Sequence, residues 1–258
     1  MNKNNSSVQV SFGAFLTLVV GLLTTGLCAW GLREDNEDQA RAAVRFEALE
    51  AVDTVSGRLR LYEYGLRGAR GVVLTAGEHL ITRDAFHRYI QTRDLDAEFP
   101  GARGFGFIRR VPVSQERQFL ADARADGKPD FAIRQLSPQS DERFVIQYIE
   151  PLDKNQRALG LDIASDPGRR DAAQEAVRTG KAQLSAPITL VQADDKPHQG
   201  FLMLMPIYRQ ILVPASVSER EQSAFGWSYA PLVIADVLAG LPGQYRSEEP
   251  RLNSSHPL

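Results

Sequence analysis

Residues 12–32 contain no charged side chain and are mostly Leu, Val, Phe, Ala and Gly. A run of about 20 apolar residues is long enough to cross the hydrocarbon core of a bilayer as one helix. No other feature constrains the chain as much, because such a segment must be hidden from water by lipid or by protein. It continues through Trp30 to Arg33 without the small-x-small site of a cleaved signal peptide, and Leu27 before Cys28 is not the small residue a lipoprotein site needs. The sequence therefore predicts an uncleaved transmembrane helix at 12–32. Lys3 and the amino terminus precede it and an acid-rich segment, 34–38, follows it. The positive-inside rule then places residues 1–11 in the cytoplasm and the bulk of the chain outside, in the periplasm of a Gram-negative cell. The next apolar run, 201–208, is too short to span and holds Pro206, so a single pass is expected.

Beyond the anchor, Ala48, Val52, Val55, Leu59, Tyr62, Leu66, Ala69 and Val73 alternate in steps of four and three, with Glu, Asp and Arg between them. This is an a/d helical stripe and predicts a long stalk helix over 33–75. Two partners suit the stripe: the chain's own domain, or the same helix of a second copy in a homodimer. Gly57, Gly65, Gly68 and Gly71 lower helix propensity and allow close packing or a kink.

The remainder has 43% apolar residues in the chain as a whole and mixed patterning. Helices are expected at 83–93, capped by Thr82 with Phe86, Tyr89 and Ile90 inward, and at 114–125, capped by Ser114. Asp166-Pro167 and Gly180 bracket a third at 168–179. Strands are expected at 103–111, 131–136, 144–149, 183–191, 200–208 and 225–230, and Pro231 opens a final helix to Gly240. Strands and helices do not alternate regularly. The fold class is therefore α+β, with an antiparallel sheet.

Chemistry is mostly excluded. With 30 Lys and Arg against 32 Asp and Glu there is no basic field for nucleic acid. One Cys forms no internal disulfide, and four His give little for zinc, so no metal and no cofactor is expected. The glycines of Gly101-Ala102-Arg103-Gly104-Phe105-Gly106 are not spaced as a dinucleotide loop and lead into a strand. No Gly-x-Ser-x-Gly elbow or His-Glu-x-x-His motif occurs, and Cys28 lies within the anchor. His79 and His87 read as surface histidines and Asp194-Asp195 as part of a hairpin loop. No catalytic residue is assigned. A periplasmic enzyme would regain support if Asp153 stood near His87 or His198, and a protein-interaction domain if the core held no cavity.

An ordered set of short motifs remains: Phe99-Pro100-Gly101 with Gly104-Phe105-Gly106-Phe107, Arg110-Val111-Pro112, Glu150-Pro151-Leu152 with Asn155, and Gly160-Leu161-Asp162. Gly180, Ser185-Ala186-Pro187-Ile188-Thr189-Leu190, Gly200-Phe201, Pro206-Ile207-Tyr208, Gly226-Trp227 and Tyr229-Ala230-Pro231 continue it. In this order the chain resembles the CHASE family, extracytoplasmic sensor domains of bacterial histidine kinases and diguanylate cyclases and of plant cytokinin receptors. The resemblance implies PAS-like sheet modules after the long helix, a sensor domain over 76–245, a small-molecule ligand and an output module outside this chain. It also implies ligand contacts at Asp153 and Ser185, the latter where cytokinin-binding members carry Thr. The alternative is that Asp153 belongs to a solvated turn and Ser185 caps a strand. Gly160 and Asp162 look like residues that keep the fold. Residues 246–258 resemble translated adapter read-through and are expected to be a non-native tail.

Overall fold

A computed structural model describes residues 4–139, 141–191 and 197–239; within these, the side chains of 4–17, 29, 31, 32, 34, 35, 37, 40, 191 and 197 are outside the description. The expected hairpin loop at Asp194-Asp195 and the expected tail at 246–258 lie outside it. One compact unit is Thr54–Leu241, and residues up to Asp53 belong to another.

In chain order the elements are α1 (Asn4–Ala76), α2 (Arg83–Gln91), α3 (Leu95–Glu98), β1 (Phe105–Val111), α4 (Glu116–Ala125), β2 (Arg134–Gln135), β3 (Arg143–Glu150), α5 (Leu152–Asn155) and β4 (Leu161–Asp162). Then come α6 (Pro167–Thr179), β5 (Gln183–Leu184), β6 (Ile188–Val191), β7 (Pro197–Tyr208), α7 (Val217–Ser223), β8 (Ala224–Val233) and α8 (Ile234–Leu238). The fold is α+β. Among the described residues no helix is long and apolar enough to cross a membrane. The transmembrane helix expected at 12–32 is therefore not supported by the structure; that segment falls partly on side chains outside the description.

The sheet runs β2-β4-β3-β1-β8-β7-β5, with β6 also on β7. It is antiparallel except for the short β2–β4 pair, which is parallel, so the sheet is mixed rather than wholly antiparallel as expected. Alternation sends Met203, Met205 and Ile207 of β7 to one face and Leu202 and Leu204 to the other. The first face meets α1, where Tyr62, Leu66, Ala69 and Val73 are fully buried. This half of the stalk stripe packs on its own sheet, whereas Val52 is 63% exposed. Two glycines set the approach. A Cβ on Gly65 would lie 2.4 Å from the Phe105 ring, and one on Gly68 would lie 2.0 Å from the Tyr89 hydroxyl. The second face is covered by α6 through Ala172, Ala173, Ala176 and Val177.

Three sequence expectations change at the edges of the sheet. Strand 131–136 shrinks to Arg134–Gln135, because Phe131 leaves the strand direction to pack on Phe119 of α4. Strand 183–191 is broken at Ser185-Ala186-Pro187 into β5 and β6, both on β7. Helix α4 begins at Glu116 after a 3-10 turn that contains Ser114, so Ser114 caps nothing.

Pro231 does not open a helix; it continues β8, and the helix starts three residues later. In this register a residue-231 N–H would donate to the Arg103 carbonyl, since the Arg103 N–H donates to the Pro231 carbonyl at 2.9 Å. Asn155 Nδ2 donates to that Arg103 carbonyl instead, at 2.9 Å. The missing donor of proline is thus replaced by a side chain.

Gly160 has φ +78°, and a Cβ there would sit 2.1 Å from the Ala132 carbonyl oxygen. Its own N–H and carbonyl tie β3 to β2, through Ile146 O at 2.8 Å and Arg134 N at 2.9 Å. Gly160→Ala should therefore cost about 2 kcal/mol or more, read as a lowered urea midpoint with an unchanged slope.

Candidate ligand-binding site

On the α6 face of the sheet lies a cavity of about 430 Å³. Leu202 of β7 and Tyr229 of β8 come from neighbouring strands, Ile146 from β3 on the far side of β1, Leu190 from the broken edge, and Leu161 and Ala158 from the segment after α5. The same alternation that builds the core puts these side chains there. Arg169, in the first turn of α6, enters the wall because Asp166 caps this helix by accepting the Arg169 N–H at 2.9 Å.

Two polar groups in the wall stand out. Tyr229 is 1% exposed and its hydroxyl has no hydrogen-bond partner. Arg169 is 9% exposed and its Nε likewise has none; the nearest carboxylate oxygen, Asp166 Oδ1, is 3.9 Å away. Burial raises the Tyr229 pKa above the ordinary tyrosine value, with Arg169 opposing, so the phenol remains a neutral donor. Burial lowers the Arg169 pKa, and Asp166 and Tyr229 oppose that shift. Among the described residues no histidine, aspartate or glutamate lines the cavity.

The two residues expected to meet a ligand line no cavity together among the described residues. Ser185 is buried at the break between β5 and β6 and donates to Ala186 O at 2.8 Å while accepting the Leu202 N–H at 2.9 Å. Its hydroxyl closes the ladder where the edge strand is interrupted, directly behind a residue of the cavity wall. Asp153 is exposed in α5 and borders a different hollow, of about 640 Å³, with Asp84, His87, Asp126 and Glu150. There His87 Nδ1 stands 3.1 Å from Glu150 Oε2, which also accepts the Leu152 N–H at 3.2 Å. Asp153 and His87 thus share a hollow, but no serine, threonine or cysteine lines it. His198 is on β7, paired with Leu190. Among the described residues no group of three His, Cys, Asp or Glu is placed to hold a metal ion.

Sequence reasoning missed Arg169 and Tyr229 as site residues. The signal was present: Arg169 occupies the same helical face as Ala172, Ala173 and Ala176, where an apolar residue is expected.

An apolar cavity with two unpaired polar donors, in a sheet packed by helices on both faces, is the build of a small-molecule-binding domain. The comparison with protein families agrees, as a sequence model described as the CHASE domain matches residues 79–253. The chain belongs to the CHASE-domain family, whose members are extracellular sensory domains of receptors, non-catalytic themselves, that bind small-molecule ligands. No curated protein matches the chain.

Proposed function

We propose that this chain is the ligand-sensing part of a membrane signal-transduction receptor, with residues 12–32 as a transmembrane anchor and residues 76–245 as a periplasmic sensor of PAS-like build. The single observation that carries the ligand reading is the α6-side cavity with its two unpaired donors. Such groups cost stability in the unliganded fold and are retained where a ligand completes them. The anchor is supported by Leu22, Leu23, Leu27 and Trp30, each more than 60% exposed along α1. The exposed Val44, Leu49 and Val52 supply an apolar surface for a homodimer through the stalk. Asp153 belongs to the proposal as an exposed carboxylate able to accept from a ligand at the neighbouring hollow, and Ser185 as the hydroxyl behind Leu202. The output is a kinase, cyclase or phosphodiesterase module outside this chain. Sensing requires that the ligand favour one of two arrangements of the domain.

Two measurements test this reading. The full chain made in a Gram-negative host should stay in the membrane fraction after alkaline carbonate extraction, and its sensor domain should be cleaved by protease in spheroplasts but not in intact cells. The purified full chain should show a thermal shift with a member of a broad metabolite library. Recovery in the soluble fraction would sink the anchor, and no shift across the library would sink the sensor.

A further inference from the structure

We propose that the α6-side cavity takes a small monocarboxylate with an apolar body, its carboxylate held between the Arg169 guanidinium and the Tyr229 hydroxyl. This rests on the reading of the cavity as the sensing site and narrows its ligand to one chemical class. Both unpaired groups are donors, Arg169 Nε–H and Tyr229 O–H, and both are at least nine-tenths buried. Their complement is an acceptor, and because one donor is cationic the complement is an anion.

Among the described residues no carboxylate hydrogen-bonds Arg169 Nε. Asp166 is 3.9 Å from Arg169 Nε and already serves as the α6 cap. Arg134 and Arg157 also border the cavity and add positive potential; Arg134 donates to the carbonyls of Arg157 and Leu159. Among the described residues no carboxylate lines the wall to meet a cationic ligand. A phosphate brings more charge and more acceptor oxygens than the two buried unpaired donors satisfy. A carboxylate brings two acceptor oxygens and one charge, and the apolar part of the wall, Ile146, Leu161, Leu190 and Leu202, calls for hydrocarbon.

The test uses the purified full chain in detergent and calorimetric titration with propionate through octanoate, benzoate and phenylacetate, each against its primary amide. At least one acid should bind about tenfold or more tighter than its amide. Arg169→Gln should weaken that acid by about a hundredfold and Tyr229→Phe by about tenfold, with Arg169→Lys between them, because charge survives but the planar fork does not. Neither Arg169→Gln nor Tyr229→Phe should lower the melting temperature of the unliganded chain, since each removes an unpaired buried donor; this separates lost recognition from lost folding. Leu202→Trp, which fills the cavity, should abolish binding. If an amide binds as well as its acid, or if Arg169→Gln leaves the acid untouched, the carboxylate assignment falls while the cavity stands as a binding site. If an acid binds equally well to Leu202→Trp, the site is elsewhere and both readings fall. If no acid binds the folded chain, the carboxylate assignment is overturned, and the metabolite library alone then decides the sensing reading.

Discussion

Asp162→Ala should remove about 3–5 kcal/mol of stability, a substantial part of what holds a domain of this size together. The side chain is completely buried. One carboxylate oxygen accepts the N–H groups of Phe144 at 2.8 Å and Ala164 at 3.1 Å. The other accepts Gln135 Nε2 at 3.2 Å and Gln139 Nε2 at 2.8 Å. Truncation to alanine leaves two backbone donors, one at the start of β3 and one in the turn after β4, without an acceptor in a water-poor site. Asp162→Asn keeps the oxygen that serves Phe144 and Ala164, and the two glutamines can turn their amides to meet the new NH2, so its loss should be about 1–2 kcal/mol. Urea unfolding of the purified chain checks the order. Equal stability for wild type and Asp162→Ala would show that this hydrogen-bond hub is not needed.

Asp162 also shows what the sequence makes legible. Its place in Gly160-Leu161-Asp162 marks it as fold-keeping, but three of its four donors, Gln135, Gln139 and Phe144, lie 18 to 27 residues away and no spacing announces them. Local signals fared well. Thr82 caps α2 by accepting the Ala85 N–H at 3.2 Å, and Gly180 ends α6 with φ +71°. These depend on neighbours three or four residues away. Ser216 and Glu219 form a capping box that opens α7, an equally local signal that went unread. Nonlocal compensation hid the rest. Pro231 has every mark of a helix start, yet it lies in a central strand because Asn155, far away in sequence, takes over the hydrogen bond that proline cannot make. The family resemblance implies a ligand contact at Ser185, whose hydroxyl spans a strand break instead of facing the cavity.

The stalk stripe illustrates the same divide. Heptad spacing identifies which residues are buried and not what buries them. Tyr62, Leu66, Ala69 and Val73 are covered by the sheet of their own domain, as the glycines at 65 and 68 permit. The earlier positions of the stripe, Ala48 and Val52, are exposed. One continuous pattern is therefore covered by the sheet in its second half alone, among the described residues.

Trp227→Ala should be the other severe change, costing about 4 kcal/mol and lowering the melting temperature by roughly 10 °C. The indole is 1% exposed, packs on Phe144 with ring centroids 4.4 Å apart, and donates Nε1–H to Ala173 O at 2.9 Å. It is the largest fully buried side chain, so its loss opens a cavity the surrounding strands cannot close. The hydrogen bond gives it a second role. Ala173 is one turn beyond Arg169 on α6, and Trp227 is two residues before Tyr229 on β8. The indole thus fixes the helix that carries one unpaired donor to the strand that carries the other. Trp227→Phe keeps an aromatic ring against Phe144 and loses only that tether; Ala173 O still accepts from the helix backbone. Its stability should fall by about 1 kcal/mol. If the cavity binds carboxylates through both donors, Trp227→Phe should nevertheless weaken the best acid several-fold while leaving its amide unaffected, because only the acid depends on Arg169 and Tyr229 acting together. A Trp227→Phe chain that binds acid and amide in the wild-type ratio would show that the two donors are positioned independently of this contact.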